Sequence, residues 1–227
     1  TSYLQIFSEQ LQIPVNQLKV VQGDTDLVEG HGSVGSRSLF VGGNAILRGI
    51  EDFLEECKQL AASELEASVE DLEYHQGNFQ VNGTRVGIGI FDLCLRQSGN
   101  SISVKRKKEL TGRSWPNGCH VAEVEIDAET GEVRLDRYVS VDDVGNTVNP
   151  MIVHGQVQGG IASGLGQAVL ERTEYDASGQ LLSGSYMDYA LPRADDMPSL
   201  LGRLFEKAPC LTNPLGAKGT GEIGAVA

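Results

Sequence analysis

The sequence predicts an α+β chain of two lobes, with long helices packed on mostly antiparallel sheets. Three observations carry that prediction. Apolar residues recur at helical spacing over two long stretches, about 39–67 and 149–169. Alternating runs flank turn signals at Gln76-Gly77-Asn78, Asn82-Gly83 and Asp127-Ala128-Glu129-Thr130-Gly131, the pattern of hairpins. No internal repeat interrupts this mixture, so helices and antiparallel strands must share one layered architecture. The expected division is a helix-rich lobe over 1–113 with a glycine-rich loop, and a second region over 114–227 holding the clearest hairpin, a long helix and a glycine-rich closing segment.

The elements follow in chain order. Tyr3, Leu4, Ile6, Phe7 and Leu11 mark a helix that ends before Pro14, and Leu18 to Val21 reads as a short strand. Gly23 to Ser38 is a polar glycine-rich loop, followed by a helix from about Leu39 to Ala67 with Ile46, Ile50, Phe53, Leu54, Cys57, Leu60 and Ala61 at helical spacing. Leu72 to Tyr74, Phe79 to Val81, and Val86 with Ile88 are successive hairpin strands, and Gly89 to Leu95 is a short helix. Ser101 to Leu110 alternates and reads as a solvated strand edge carrying Lys105-Arg106-Lys107-Lys108, since lysines blunt edge pairing. His120, Ala122, Val124 and Ile126 pair across the 127–131 turn with Val133, Leu135, Tyr138, Val139 and Val141. Asn149-Pro150 opens the second long helix, and the remainder is loop-rich with short strands. A helix already under way at Thr1 and an abrupt stop at Ala225-Val226-Ala227 predict a piece truncated at both ends.

Composition narrows the function. A formal net charge of −13 opposes a phosphate backbone, so no nucleic-acid partner is expected. No apolar stretch approaches the ~18 residues of a membrane span, which predicts a soluble protein with no membrane partner and a cytoplasmic default location. Cys57, Cys94, Cys119 and Cys210 are too scattered for zinc or iron-sulfur spacing and read as reduced thiols. The four histidines form no helical metal pair, and Asp142-Asp143 would point to opposite faces of a strand, so no protein-ligated metal is expected. The 28 glycines in 227 residues stand well above the ordinary ~7% and demand positions of positive φ or close backbone approach.

Two stretches, Gly30 to Gly35 and Gly219 to Gly224, fit G-x-G-x-x-G. Neither lies between a strand and a helix with an acidic residue ~20 positions on, so a dinucleotide fold is disfavoured. Gly32 to Ser38 still offers hydroxyls and a guanidinium just before a helix. That pattern suits an anion site, and it equally suits a serine helix cap. Gly155-Gln156-Val157-Gln158-Gly159-Gly160 near a helix start admits either a flat ligand or close helix packing. Glu222 lies among glycines in a segment apolar on both sides, where a carboxyl with a raised pKa could act as a base.

Six segments stand in one order: Val20 to Asp26, Gly35-Ser36-Arg37-Ser38, Val141 to Gly145 with Asn149-Pro150, Gly155 to Gly160, Met187-Asp188-Tyr189 with Leu191-Pro192, and Lys218-Gly219-Thr220-Gly221-Glu222. Together, across essentially the whole chain, they resemble the molybdenum-binding large subunit of the xanthine dehydrogenase, aldehyde oxidase and aerobic carbon monoxide dehydrogenase family. The resemblance implies a molybdopterin-binding domain type of fold in an oxidoreductase that hydroxylates a C–H centre, or oxidises CO, with water-derived oxygen. It implies that Glu222 is the base toward the molybdenum-bound hydroxide, that Gln156 hydrogen-bonds the pterin, and that Gly35 sits beside the metal. Ser36, Arg37 and Ser38 then hold the phosphate or dinucleotide tail, a cytosine dinucleotide being one form of the cofactor. Iron-sulfur and FAD subunits or domains, a small-molecule substrate and a homo-oligomeric state are implied as partners. A further pterin-contacting motif and the substrate loop of the family fall upstream of Thr1, so the polypeptide by itself is expected to hold no molybdenum cofactor and to be inactive. The competing expectations are a non-catalytic structural or assembly homologue of the same fold, and a nucleotide-binding module built on Gly30 to Gly35.

Overall fold

The computed structural model describes residues 1–28, 30, 32–106, 112–221, 223 and 225. They form a mixed α+β architecture with two separate three-stranded open sheets. The chain divides into two compact units. One comprises Thr1–Gly32, Ser38–Gly112 and Asn213–Leu215; the other comprises Ser33–Arg37, Arg113–Thr212 and Gly216–Ala227.

The first unit opens with α1 (Ser2–Leu11), which buries Ile6 and Leu11 and ends at Gln12 in left-handed conformation. A π-helical turn (Leu39–Gly43) leads into α2 (Asn44–Glu64), where Ile50, Cys57 and Ala61 line one buried stripe, as their spacing requires. The antiparallel meander β1 (Leu72–His75), β2 (Asn78–Val81) and β3 (Gly87–Gly89) follows. Leu72, Phe79 and Ile88 alternate into its buried face. The Tyr74 hydroxyl donates to the Leu11 carbonyl at 2.6 Å, tying the meander to the end of α1. Helix α3 (Ile90–Arg96) buries Ile90 and Leu93. Asn44 is completely buried; its Nδ2 donates to the Phe40 carbonyl at 2.6 Å and to Asn213 Oδ1 at 3.1 Å, while its Oδ1 accepts from the Leu215 amide at 3.1 Å.

In the second unit β4 (Asn117–Ile126) and β5 (Val133–Asp143) form the long hairpin, with a register shift at Glu123/Val124. Its turn is closed by Asp127 Oδ1, which accepts from the amides of Glu129 at 2.7 Å and Thr130 at 3.0 Å and thereby holds that carboxyl below its usual pKa. Strand β6 (Leu200–Leu204) adds to β5 in parallel. Helix α4 (Pro150–Leu165) starts where the Asn149 side chain accepts from the Ile152 amide at 3.1 Å, with Pro at the first helical position. Its Val153, Val157 and Ile161 pack with Tyr138 and Val144 to make the core of this unit.

Among the described residues, two expected strands do not form. Leu18 to Val21 is extended without a ladder partner, and the chain there turns from the short helical turn Val15–Gln17 straight into loop. Residues 101–106 join no sheet, Arg106 instead pairing with Asp52 on α2 at 3.2 Å, and 107–110 lie outside the described residues. The helix expected over 39–67 begins with the π-helical turn and ends at Glu64, with Glu66 at positive φ. Among the described residues, no helix is long and apolar enough to cross a membrane.

Candidate cofactor site

The second unit brings together three segments that are distant in sequence: Ser33–Arg37, the first half of α4, and the run Gly216–Gly221. Ser36 is their junction. It adopts φ +49°, uncommon for a residue with a Cβ, and its hydroxyl donates to Gln156 Oε1 at 3.1 Å and lies 2.9 Å from Thr220 Oγ1. Below this polar contact the two glycine-bearing backbones cross. A Cβ on Gly221 would lie 2.5 Å from the Gly35 carbonyl oxygen and 2.6 Å from its carbonyl carbon, a separation only glycine permits.

The predicted positions fall into three groups. Gly35, Ser36 and Gln156 share this junction, and Arg37 adjoins it through its Cβ, which lies 3.4 Å from the Cβ position of Gly219. Arg37 Nε donates to the Val34 carbonyl at 3.1 Å, curling the Ser33–Arg37 segment while the side chain stays exposed. Ser38 belongs to the first unit, where its carbonyl accepts from the Tyr3 hydroxyl at 3.0 Å. It precedes the π-helical turn in right-handed conformation and makes no side-chain cap hydrogen bond, so it is not the serine cap that the sequence allowed. Glu222 lies outside the described residues.

The donor set suits a polar, flat and anionic group. Ser36 takes the oxygen of the Gln156 amide and leaves its two N–H bonds for a ligand; the residue is exposed. Beside it Gly155 and Gly159 have open space where a side chain would stand, so the helix backbone can be approached closely there. The exposed Arg37 guanidinium supplies phosphate-type donors. Among the described residues, no cluster of three or more His, Cys, Asp or Glu side chains is placed to hold a metal ion.

The spacing arguments missed the tie beneath the loop. Lys218 Nζ pairs with Asp143 Oδ2 at 2.5 Å, both side chains largely buried. Asp142 points the opposite way and is 1% exposed; its Oδ1 meets His120 Nε2 at 2.8 Å, and His120 Nδ1 meets the Tyr138 hydroxyl at 2.9 Å. Burial, helped by the Asp142 charge, raises the Tyr138 pKa and keeps that hydroxyl protonated. The alternation Asp142/Asp143 was the available signal, since strand geometry sends the two carboxylates to different neighbours.

Residues 1–198 match the family model of the molybdopterin cofactor-binding domain. The chain is 33% identical, over its whole length, to the 6-hydroxypseudooxynicotine dehydrogenase complex subunit gamma of Paenarthrobacter nicotinovorans, of which it covers 30%. It is 32% identical over 98% of its length to the carbon monoxide dehydrogenase large chain of Hydrogenophaga pseudoflava, covering 29% of that protein. The crystal structure of a Cu,Mo-CO dehydrogenase superposes on the entire chain with a TM-score of 0.89 at 30% identity, again over 29% of the larger chain. Quinoline 2-oxidoreductase from Pseudomonas putida 86 does so with a TM-score of 0.86 at 32% identity, over 30% of its chain. The chain thus spans about three tenths of the length of these relatives. With the fold and the match over 1–198 in agreement, the chain belongs to the molybdopterin cofactor-binding domain family.

Proposed function

We propose that this chain is the cofactor-binding and base-bearing part of a molybdenum hydroxylase that oxidises a C–H centre of a small molecule, or CO, with oxygen taken from water. The observation that carries this reading is the Ser36 junction, which gathers Gln156, Thr220 and the Gly35/Gly221 crossing into one polar, glycine-lined place. When bound, the molybdenum–pterin group supplies the redox chemistry, taking up the electron pair released by the substrate. Gln156 directs its amide N–H groups to the pterin, and Ser36 holds that amide in orientation through its oxygen. Gly155 and Gly159 keep the helix surface low enough for a flat ring. Arg37, within the Ser36–Ser38 segment, takes the phosphate, with or without a cytosine dinucleotide tail. Glu222 accepts the proton of the attacking water-derived hydroxyl. Iron-sulfur and FAD partners carry the electrons away, within a homo-oligomeric cytoplasmic enzyme. The 227-residue chain alone retains no molybdenum.

Glu222→Gln in the whole subunit tests the assignment. Removing the base while keeping shape should lower kcat by at least ~10²–10⁴, the usual span of general-base catalysis, with molybdenum content unchanged. Turnover that survives with molybdenum still stoichiometric would remove Glu222 from that role, and absence of turnover in the unaltered subunit would favour a structural or assembly protein of this fold.

A further inference from the structure

The run that leads to Glu222 is tied down residue by residue, and one of those ties is ionic. Gly216 accepts through its carbonyl from the Asn146 amide at 3.0 Å and from the Cys210 amide at 2.8 Å. Ala217 bridges to Gly145, and the Lys218 amide donates to the Val144 carbonyl at 2.8 Å. The Gly219 amide donates to Ser114 Oγ at 3.1 Å, and Thr220 meets Ser36. All but one of these contacts use backbone or hydroxyl groups and carry no net charge. The exception is Lys218 with Asp143, whose side chains are 9% and 13% exposed. The carboxylate is shared: Oδ2 meets the ammonium at 2.5 Å while Oδ1 accepts from the Gly145 amide at 2.9 Å. Gly145 itself stands at φ +68° against the carbonyl of Gly216, so the turn after β5 and the Gly216–Lys218 segment fit without room for a Cβ.

We infer that the Asp143–Lys218 pair is a positioning device for the Gly219–Gly221 loop and, because the chain continues from that loop to residue 222, for the general-base step proposed there. Lys218 and Asp143 touch neither substrate nor cofactor in this role. The loop residues between Lys218 and Glu222 are Gly219, Thr220 and Gly221, the two glycines having little conformational restraint of their own. Restraint has to come from the anchor at Lys218 and the contacts of Ser114 and Ser36. A largely buried ion pair is suited to such anchoring, because breaking it strands one charge away from water and the loop is held in one register by the cost of every alternative. The inference rests on Glu222 being the base only in its last step; the anchoring of residues 216–221 stands or falls separately.

Hydrogen exchange read by mass spectrometry on the 227-residue chain separates the two. Asp143→Asn and Lys218→Met should each speed exchange of the 216–221 amides at least tenfold, leaving amides of β2 and α3 in the first unit unchanged. The double variant Asp143→Asn/Lys218→Met should exchange more slowly than either single one, because no charge is stranded, and Lys218→Arg should lie near the parent. Parent-like exchange in both single variants overturns the anchor. Equal acceleration in single and double variants also overturns the ionic explanation. In the whole subunit, Asp143→Asn should lower kcat several-fold with KM and molybdenum content held. A loosened loop with unaltered kcat would show an anchor that positions nothing catalytic, overturning the second half of the inference, and Glu222→Gln then tells whether the base itself was misassigned.

Discussion

Gly221→Ala measures how closely the two glycine-bearing segments cross. The new methyl would stand 2.5 Å from the Gly35 carbonyl oxygen, 2.6 Å from its carbon and 2.8 Å from its Cα, while ordinary contact begins near 3.4 Å. The backbones must therefore part by about 0.9 Å, and neither obstacle is a side-chain tip that can swing aside. Overpacking of that kind costs about 1–3 kcal/mol. A parting of this size also stretches the 2.9 Å contact of Ser36 with Thr220 past hydrogen-bonding distance, adding about 0.5–1.5 kcal/mol. The sum is about 1.5–4.5 kcal/mol, felt locally at 33–37 and 219–221. Gly219→Ala meets the same carbonyl at 3.2 Å and should cost about 1 kcal/mol or less. Gly155→Ala meets nothing within 4 Å and should stabilise the chain by about 0.5–1 kcal/mol through helix propensity, while impairing molybdopterin loading of the whole subunit. Thermal unfolding with residue-resolved hydrogen exchange reads all three. The order 221, 219, 155 from most to least destabilised is required; a Gly221→Ala chain as protected as its parent at 33–37 would refute the crossing.

Two further outcomes bear on the first unit. Asn44→Ala removes three hydrogen bonds from a completely buried position and should destabilise by about 2–4 kcal/mol in thermal or urea unfolding; a change under ~0.5 kcal/mol would show that Asn44 does not clamp α2 to Asn213 and Leu215. Cys57 is completely buried on α2, and that burial, followed by the nearby Cys94 and Glu56 charges, pushes its thiol up to about 12. Maleimide at neutral pH should label exposed Cys119 first and Cys57 only on unfolding. Because the folded state favours the neutral thiol, its contribution to stability is complete below the usual value of 9.0 and is lost as pH rises from there toward about 12. Alkaline unfolding should therefore shift upward in Cys57→Ala relative to its own neutral-pH stability, and an unchanged pH profile would contradict the burial.

The elements that the pattern named well are those whose periodicity is long. The stripe Ile50, Cys57, Ala61 repeats one contact geometry often enough to be read without a partner, whereas β5 buries Tyr138, Ser140 and Asp142 and leaves the expected Val139 and Val141 exposed. Leu18 to Val21 is too short for that, and of the expected run Ser101 to Leu110 the described residues 101–106 form no ladder; whether such a segment becomes a strand depends on a neighbour offering free backbone groups. Strand β6 fails the same way in reverse: Leu200–Leu204 pairs in parallel with β5 across more than fifty residues of intervening chain. In the site, Gly35, Ser36, Arg37 and Gln156 were legible as donors and small residues in recognisable order. That Ser36 joins Gln156 to Thr220, and that the Ser38 carbonyl accepts from the Tyr3 hydroxyl, was not.

By itself, then, the sequence determined the α+β class, the long helices and hairpins, and the chemistry available to the glycine-rich segments, because these depend on residues near one another in the chain. The tertiary structure decided which of the glycines are close approaches and which are open cradles. Gly221 and Gly155 are the same residue in similar glycine-rich runs, yet one faces a carbonyl at 2.5 Å and the other open space. It also decided that the neighbouring carboxylates of Asp142 and Asp143 serve His120 and Lys218 respectively. Contacts of that kind join residues about 20 to almost 200 positions apart, and steric exclusion and burial select them only once the whole chain has folded.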